Sequence, residues 1–201
     1  MFVRYGYVFL YLFRRGGGLT AGQGTPSGDL MDREFAAKGQ EGRNQIQLKL
    51  LETDEMDDVL AGLVFLRALP NVDPRRVALV GHSFGGTLTL LAAERDSALR
   101  AAMVFSSSGY SWERSPQLRA RLLAAVDHLA VPVFLIHAAN DYSVAPGEAL
   151  AAEIARLNKP HRLKIYPPVG RAADDGHNFL NLKVRTWEPD VFGFLDKYML
   201  Q

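Results

Sequence analysis

No cysteine occurs in the 201 residues, which excludes disulfides and zinc–thiolate sites and leaves the redox compartment open. Charge of one sign is not in excess: 23 Lys and Arg against 22 Asp and Glu give a formal net charge of +1. That balance offers no electrostatic case for nucleic acid or an acidic partner. Internal repeats and long low-complexity tracts are absent. So is a run long enough to cross a bilayer, since the apolar start from Met1 to Phe13 is far too short. Arg14-Arg15 follow that run where a signal peptide would carry a small-residue cleavage site. The expectation is a cytoplasmic protein without a signal peptide, a span or a membrane partner. Among five histidines there is no H-x-H or H-E-x-x-H spacing, so neither a metal nor another cofactor is expected.

What is present is ordinary for a globular chain: 48% apolar and 22% charged residues. At this length a single domain, 1–201, is expected to bury roughly 70% of its unfolded surface. Tyr7 to Phe13 is rich in aromatic and β-branched residues and reads as a buried strand. Gly16-x-Gly18-x-x-Ala21 after it matches the dinucleotide fingerprint. Gly22, Gly24, Pro26 and Gly28 prevent the helix that would hold a pyrophosphate, so nucleotide binding is set aside. Irregular helices are expected around Leu30–Lys38 and Gln45–Leu51, then a firm one from the Thr53–Asp58 cluster to about Ala68. The cluster's carboxylates read as capping and dipole groups of a first turn rather than as a metal or acid–base site. Val59, Leu60, Leu63, Val64, Leu66 and Leu69 would form the buried face of that helix.

The stretch RVALVGHSFGGTLTLLA, Arg76 to Ala92, organises the chain. A β-branched run, Val77–Val80, reads as a buried strand, and Thr87–Ala93 as a helix. Between them Gly81-His82-Ser83-Phe84-Gly85 is a G-x-S-x-G turn in the strand–turn–helix context such a motif requires. So sharp a turn is expected to strain Ser83 and to need glycine at 81 and 85, where side chains would collide. It would lift the Ser83 hydroxyl above the sheet at a helix N-terminus, with the Phe84 N–H aimed where an oxyanion would form. A serine hydroxyl is a poor nucleophile alone, so a base and an orienter are needed.

Further strands are expected at Ala101–Ser106, Pro132–His137 and His161–Tyr166, and helices around Gln117–Asp127, Gly147–Leu157 and Pro189–Met199. Alternating strands and helices imply a mostly parallel sheet in a three-layer α/β sandwich, with reactive groups at the carboxyl ends of the strands. Just past two of those ends lie Asp141 and His177, and Ser83, Asp141, His177 is the chain order of one known type of triad. Asp174 and Asp175 are alternative partners for His177. His82, His128, His137 and His161 read as structural.

These motifs, FRRGGGLTAGQG, VDPRRVALVGHSFGG, HAANDYSVAP and DDGHNF, resemble the dienelactone hydrolase-like and prolyl-oligopeptidase-like branch of the α/β-hydrolases, from about residue 2 to the end. The resemblance implies an α/β-hydrolase fold with Ser83 as nucleophile, His177 as general base and then acid, and Asp141 as its orienter. It implies a serine hydrolase acting on a small-molecule ester, with Tyr110, Trp112 and Tyr142 walling an open cleft and no lid domain. A catalytically silent scaffold that binds a small ligand or partner is the alternative, and a peptidase is less favoured.

One part of the family pattern breaks. Relatives usually place a further strand, with the loop supplying the second oxyanion N–H, before the strand read at Tyr7–Phe13. Either the chain is a fragment or shortened form without that donor, or Tyr7–Phe13 pairs directly with Val77–Val80 and the Gly16 and Gly17 backbone substitutes. A missing strand would also expose a sheet edge and invite a homo-oligomer.

Overall fold

In Ala101–Phe105 and Val133–Ala138 every residue is buried. Continuous apolar strands of this kind belong to parallel sheets covered on both faces. A computed structural model, describing residues 1–199, shows them at the centre of a four-stranded parallel sheet in the order β1-β2-β3-β4. The strands are β1 Ala78–His82, β2 Ala101–Phe105, β3 Val133–Ala138 and β4 His161–Tyr166. Ala78 pairs with Ala101, Ala102 with Val133, and Val133 with His161, and the ladders run on from there.

The chain divides into two compact units, Met1–Arg76 and Val77–Gln201, where the sequence reading takes 1–201 as one. The second unit carries the sheet together with α3 Phe84–Arg95, α4 Pro116–His128, α5 Ala145–Arg156, α6 Ala173–His177, α7 Phe179–Leu182 and α8 Val184–Met199. Strand alternation sorts the helices. Gly81 approaches Thr89 of α3, and Gly147 of α5 approaches His137 and Leu163, all on one face. On the other face Trp187 and Phe194 of α8 meet Phe105 and Phe134, with ring centroids 5.1 and 5.2 Å apart. Asp190 of α8 accepts from Arg162, Lys164 and Tyr166, the alternate residues of edge strand β4. The result is the expected three-layer α/β fold with a parallel sheet.

The first unit holds α1 Ser27–Glu52 and α2 Asp54–Ala68. The two helices expected around Leu30–Lys38 and Gln45–Leu51 are the two arms of α1, which meet at a non-helical kink at Gly39, whose φ of 68° suits glycine. Tyr7–Phe13 is not a strand: it lies in irregular backbone, and Val8, Phe9, Tyr11, Leu12 and Phe13 are exposed. Its residue types suit a pleated surface, but a strand exists only with a ladder partner. β1 is accordingly an edge of the sheet. The carboxylates opening α2 do more than serve a dipole. Asp58 grips Arg15 through two 2.7 Å bonds, Asp54 lies 3.5 Å from the same guanidinium, and Thr53 forms no side-chain cap. On α2 Glu55, Met56 and Leu63 are buried, Val59, Leu60, Leu66 and Leu69 half-buried, and Val64 is exposed, so the apolar face is narrower than its pattern. Among the described residues no helix is long and apolar enough to cross a membrane.

Candidate active site

Strand β1 runs directly into Ser83, and α3 begins at the next residue. Ser83 has φ 56° and ψ −118°, a left-handed conformation that costs a non-glycine residue energy. Its surroundings hold it there: Ser83 N–H donates to Phe105 O at 2.9 Å, and Thr87 N–H donates to Ser83 O at 3.0 Å. A side chain at Gly81 would put its Cβ 2.1 Å from Gly85 O, so glycine is obligatory at 81. Position 85 differs from expectation, because a Cβ there would meet nothing within 4 Å. The second close approach is at Gly86, where a Cβ would lie 2.8 Å from Phe105 O. Beneath the turn the buried hydroxyls of Thr87, Ser107 and Ser108 lie within 3.3 Å of one another.

Asp141 follows β3 in a turn closed by its own N–H on Ala138 O at 3.0 Å. The Asn140 side chain fastens this turn to the segment before α6, donating to Val169 O and Ala172 O and accepting from Val169 N–H. Gly176 lets α6 close on it: a Cβ there would lie 2.5 Å from the Asn140 carbonyl. His177, last residue of α6, is thereby brought between the other two side chains. Its Nδ1–H donates to Asp141 Oδ1 at 2.8 Å, and its Nε2 lies 2.8 Å from Ser83 Oγ, placed to accept the hydroxyl proton. Asp174 and Asp175, the alternative partners, are engaged elsewhere: Tyr142 OH donates to Asp174, and Arg171 and Ala172 N–H donate to Asp175.

Burial of Asp141 pushes its carboxyl up, but hydrogen bonds from His137 and His177 outweigh this and hold it well below the usual carboxylate range. The group is therefore an anion at neutral pH, able to fix an imidazole tautomer and stabilise an imidazolium. His82 donates from Nε2 to His177 O at 2.6 Å, and burial lowers its pKa against the opposing effect of that bond.

Of the aromatics expected at the site, Tyr110 and Tyr142 are exposed, with ring centroids 5.9 Å apart, and Tyr142 lies 4.6 Å from the His177 ring. Trp112 is only 3% exposed and sits in the core. Phe84 is the first residue of α3. Gly16 and Gly17, read as substitute oxyanion donors, already spend their N–H groups on Thr20 O and Arg14 O, at 3.2 and 3.1 Å. Among the described residues no three His, Asp or Glu side chains gather as metal ligands would.

His137, which reads as structural, bears on this site: its Nδ1 lies 3.2 Å from Asp141 Oδ2, and the i, i+4 spacing across a strand end is the sequence signal for it. Asp174, an alternative partner for His177 in the sequence, instead accepts from Tyr142 OH, a contact without a signal in the chain order.

The family model of the dienelactone hydrolase family matches residues 3–186. Among solved structures, an acylaminoacyl peptidase from Pyrococcus horikoshii superposes with a TM-score of 0.61 at 19% identity, covering 80% of this chain and 30% of that one. A putative dienelactone hydrolase from Klebsiella pneumoniae gives 0.53 at 17%, covering 86% and 67%. An esterase from Pyrococcus furiosus gives 0.58 at 15%, covering 74% and 64%. The chain thus spans about 30% of the length of the peptidase it matches, and at these identities the structures establish the fold. The family match covers most of the sequence, and the chain belongs to the dienelactone hydrolase family, a family of α/β-fold hydrolases.

Proposed function

We propose that the protein is a serine hydrolase that cleaves a carboxylic ester, or a related acyl bond, through an acyl-enzyme on Ser83. One observation carries the reading: the unbroken chain from Ser83 Oγ through the His177 ring to Asp141 Oδ1, both links 2.8 Å. Nothing else in an ordinary turn requires a strained serine, an imidazole and a desolvated carboxylate in series.

In this reading His177 Nε2 takes the hydroxyl proton as Ser83 Oγ bonds to the substrate carbonyl carbon. Asp141 stabilises the imidazolium that forms. The carbonyl oxygen becomes an oxyanion facing the N-terminus of α3, where the Phe84 N–H donates to it. Collapse breaks the bond to the leaving group, which departs with the proton from His177. Water then enters, gives a proton to His177, and its oxygen releases the acyl group as an acid while Ser83 regains its hydrogen. Tyr110 and Tyr142 would line the approach beside His177. With Gly16 and Gly17 committed locally, the reading assigns a single oxyanion donor, and lacking a second typically costs ~10²–10³ in turnover.

The test is hydrolysis of short-chain p-nitrophenyl esters beside matched anilides. Slow but saturable ester cleavage, reduced at least about a thousandfold by Ser83→Ala, supports the proposal. A folded protein that cleaves neither series is a ligand-binding scaffold instead, and preference for the anilides would redirect the reading to amide bonds.

A further inference from the structure

Asp141 has a second imidazole partner that the proposed chemistry does not use. His137, near the end of β3, has a side chain 0% exposed, and its Nδ1 lies 3.2 Å from Asp141 Oδ2. A carboxylate anion only accepts, so the Nδ1–H of His137 donates. The other ring nitrogen, Nε2, is buried with no hydrogen-bond partner. It faces α5 at Gly147, where even a Cβ would lie 2.8 Å away. A proton on that nitrogen would be desolvated and unpaired, which favours the Nδ1–H tautomer. Leaving one nitrogen of a core imidazole unsatisfied carries a cost that an aliphatic side chain would avoid. The compensation is on the Asp141 side.

We infer that His137 is a positioning residue: its Nδ1–H fixes the Asp141 carboxylate so that Oδ1 stays directed at His177. The two oxygens divide their donors. Oδ1 accepts from His177 Nδ1–H at 2.8 Å and from Tyr142 N–H at 2.7 Å, and Oδ2 accepts from His137. Rotation about the Cβ–Cγ bond would break all three bonds together. Without the His137 donor, Oδ2 becomes a buried charged oxygen with no partner, and nothing on that side holds the plane of the carboxylate. The titratable groups bonded to Asp141 are His137 of β3 and His177 of α6. Gly147 of α5 closes on the His137 ring and Ile165 of β4 pairs with His137 in the sheet, and neither carries a charge.

The inference rests on the triad reading, and the test separates the two. Asn at 137 puts an amide N–H near the former Nδ1, whereas Gln puts it near the former Nε2. For short esters, His137→Asn keeps kcat/KM and the acid limb of its pH profile close to wild type. His137→Gln lowers kcat about tenfold with little change in KM. It also moves the acid limb to higher pH, because a carboxylate relieved of one donor holds the His177 imidazolium more strongly. Equal behaviour of the two variants, or loss of thermal stability with an unmoved acid limb, overturns the inference. Nitrogen-15 NMR of the wild-type protein decides the matter if neither variant folds: a proton on His137 Nδ1 is expected, and one on Nε2 overturns it. The NMR result is independent of turnover. An inactive protein with the Nδ1 proton in place refutes the hydrolase reading while leaving the positioning intact.

Discussion

His82 and His177, ninety-five positions apart, are joined by a hydrogen bond from the first ring's Nε2 to the second residue's carbonyl oxygen at 2.6 Å. The bond ties the end of β1 to the end of α6, so the backbones carrying Ser83 and His177 are fixed to each other as well as their side chains. It also carries a pH signature. Burial lowers the His82 pKa below its ordinary 6.5. As pH falls through 6.5, the unfolded chain takes up a proton that the native ring resists, so stability falls. Asp141 behaves separately, holding its carboxyl below the ordinary 3.8. Its contribution is full above that value and is lost as pH drops below it. Denaturant midpoints measured against pH should therefore be level near neutrality, decline below about 6.5, and decline again below about 4. His82→Gln, which keeps a donor near the Nε2 position, should remove the first decline and leave the second.

The glycines of the nucleophile turn are not equivalent, and their difference is measurable. Gly81→Ala forces a Cβ to 2.1 Å from the Gly85 carbonyl oxygen, so it should lower the melting temperature sharply or prevent folding. Gly85→Ala meets nothing and replaces glycine in the first turn of α3 by a residue that restricts the unfolded chain. Its melting temperature should equal or exceed that of wild type. Equal damage from both substitutions would show that the turn is not built as described.

Tyr142 reaches from the Asp141 loop to α6, donating its hydroxyl to Asp174. That bond, with some desolvation, pushes the phenol up to about 12. Ultraviolet titration should show a tyrosine that ionises near this value and disappears in Tyr142→Phe. The Phe variant keeps the ring beside His177 but frees α6 on one side. A kcat reduced by about two- to fivefold, with the fold intact, is expected from one exposed hydrogen bond.

Much of this was legible in the sequence where a physical constraint acts locally. The place of β3 follows from a short apolar run, that of β4 from alternating apolar and charged residues, and the nucleophile turn from glycines around a serine. The acidic and basic partners announce themselves by lying just past strand ends. Tyr7–Phe13 misleads because composition encodes preference for a pleated surface, while a strand needs a neighbour. Val64 misleads because periodicity marks an apolar stripe on a helix but not how much of that stripe is covered. His137 inside the VFLIHA run looks like packing, and its i, i+4 spacing to Asp141 is a weak sign that its Nδ1 turns toward the carboxylate. The His82–His177 bond has no sign in the sequence, because it depends on where a distant carbonyl arrives.

The most direct test of the central claim is labelling with a fluorophosphonate, which phosphonylates a serine only when a neighbouring base has activated it. The account predicts stoichiometric modification mapped to Ser83, abolished in Ser83→Ala and strongly slowed in His177→Ala. A folded protein that remains unlabelled, or is labelled equally well without His177, would contradict it.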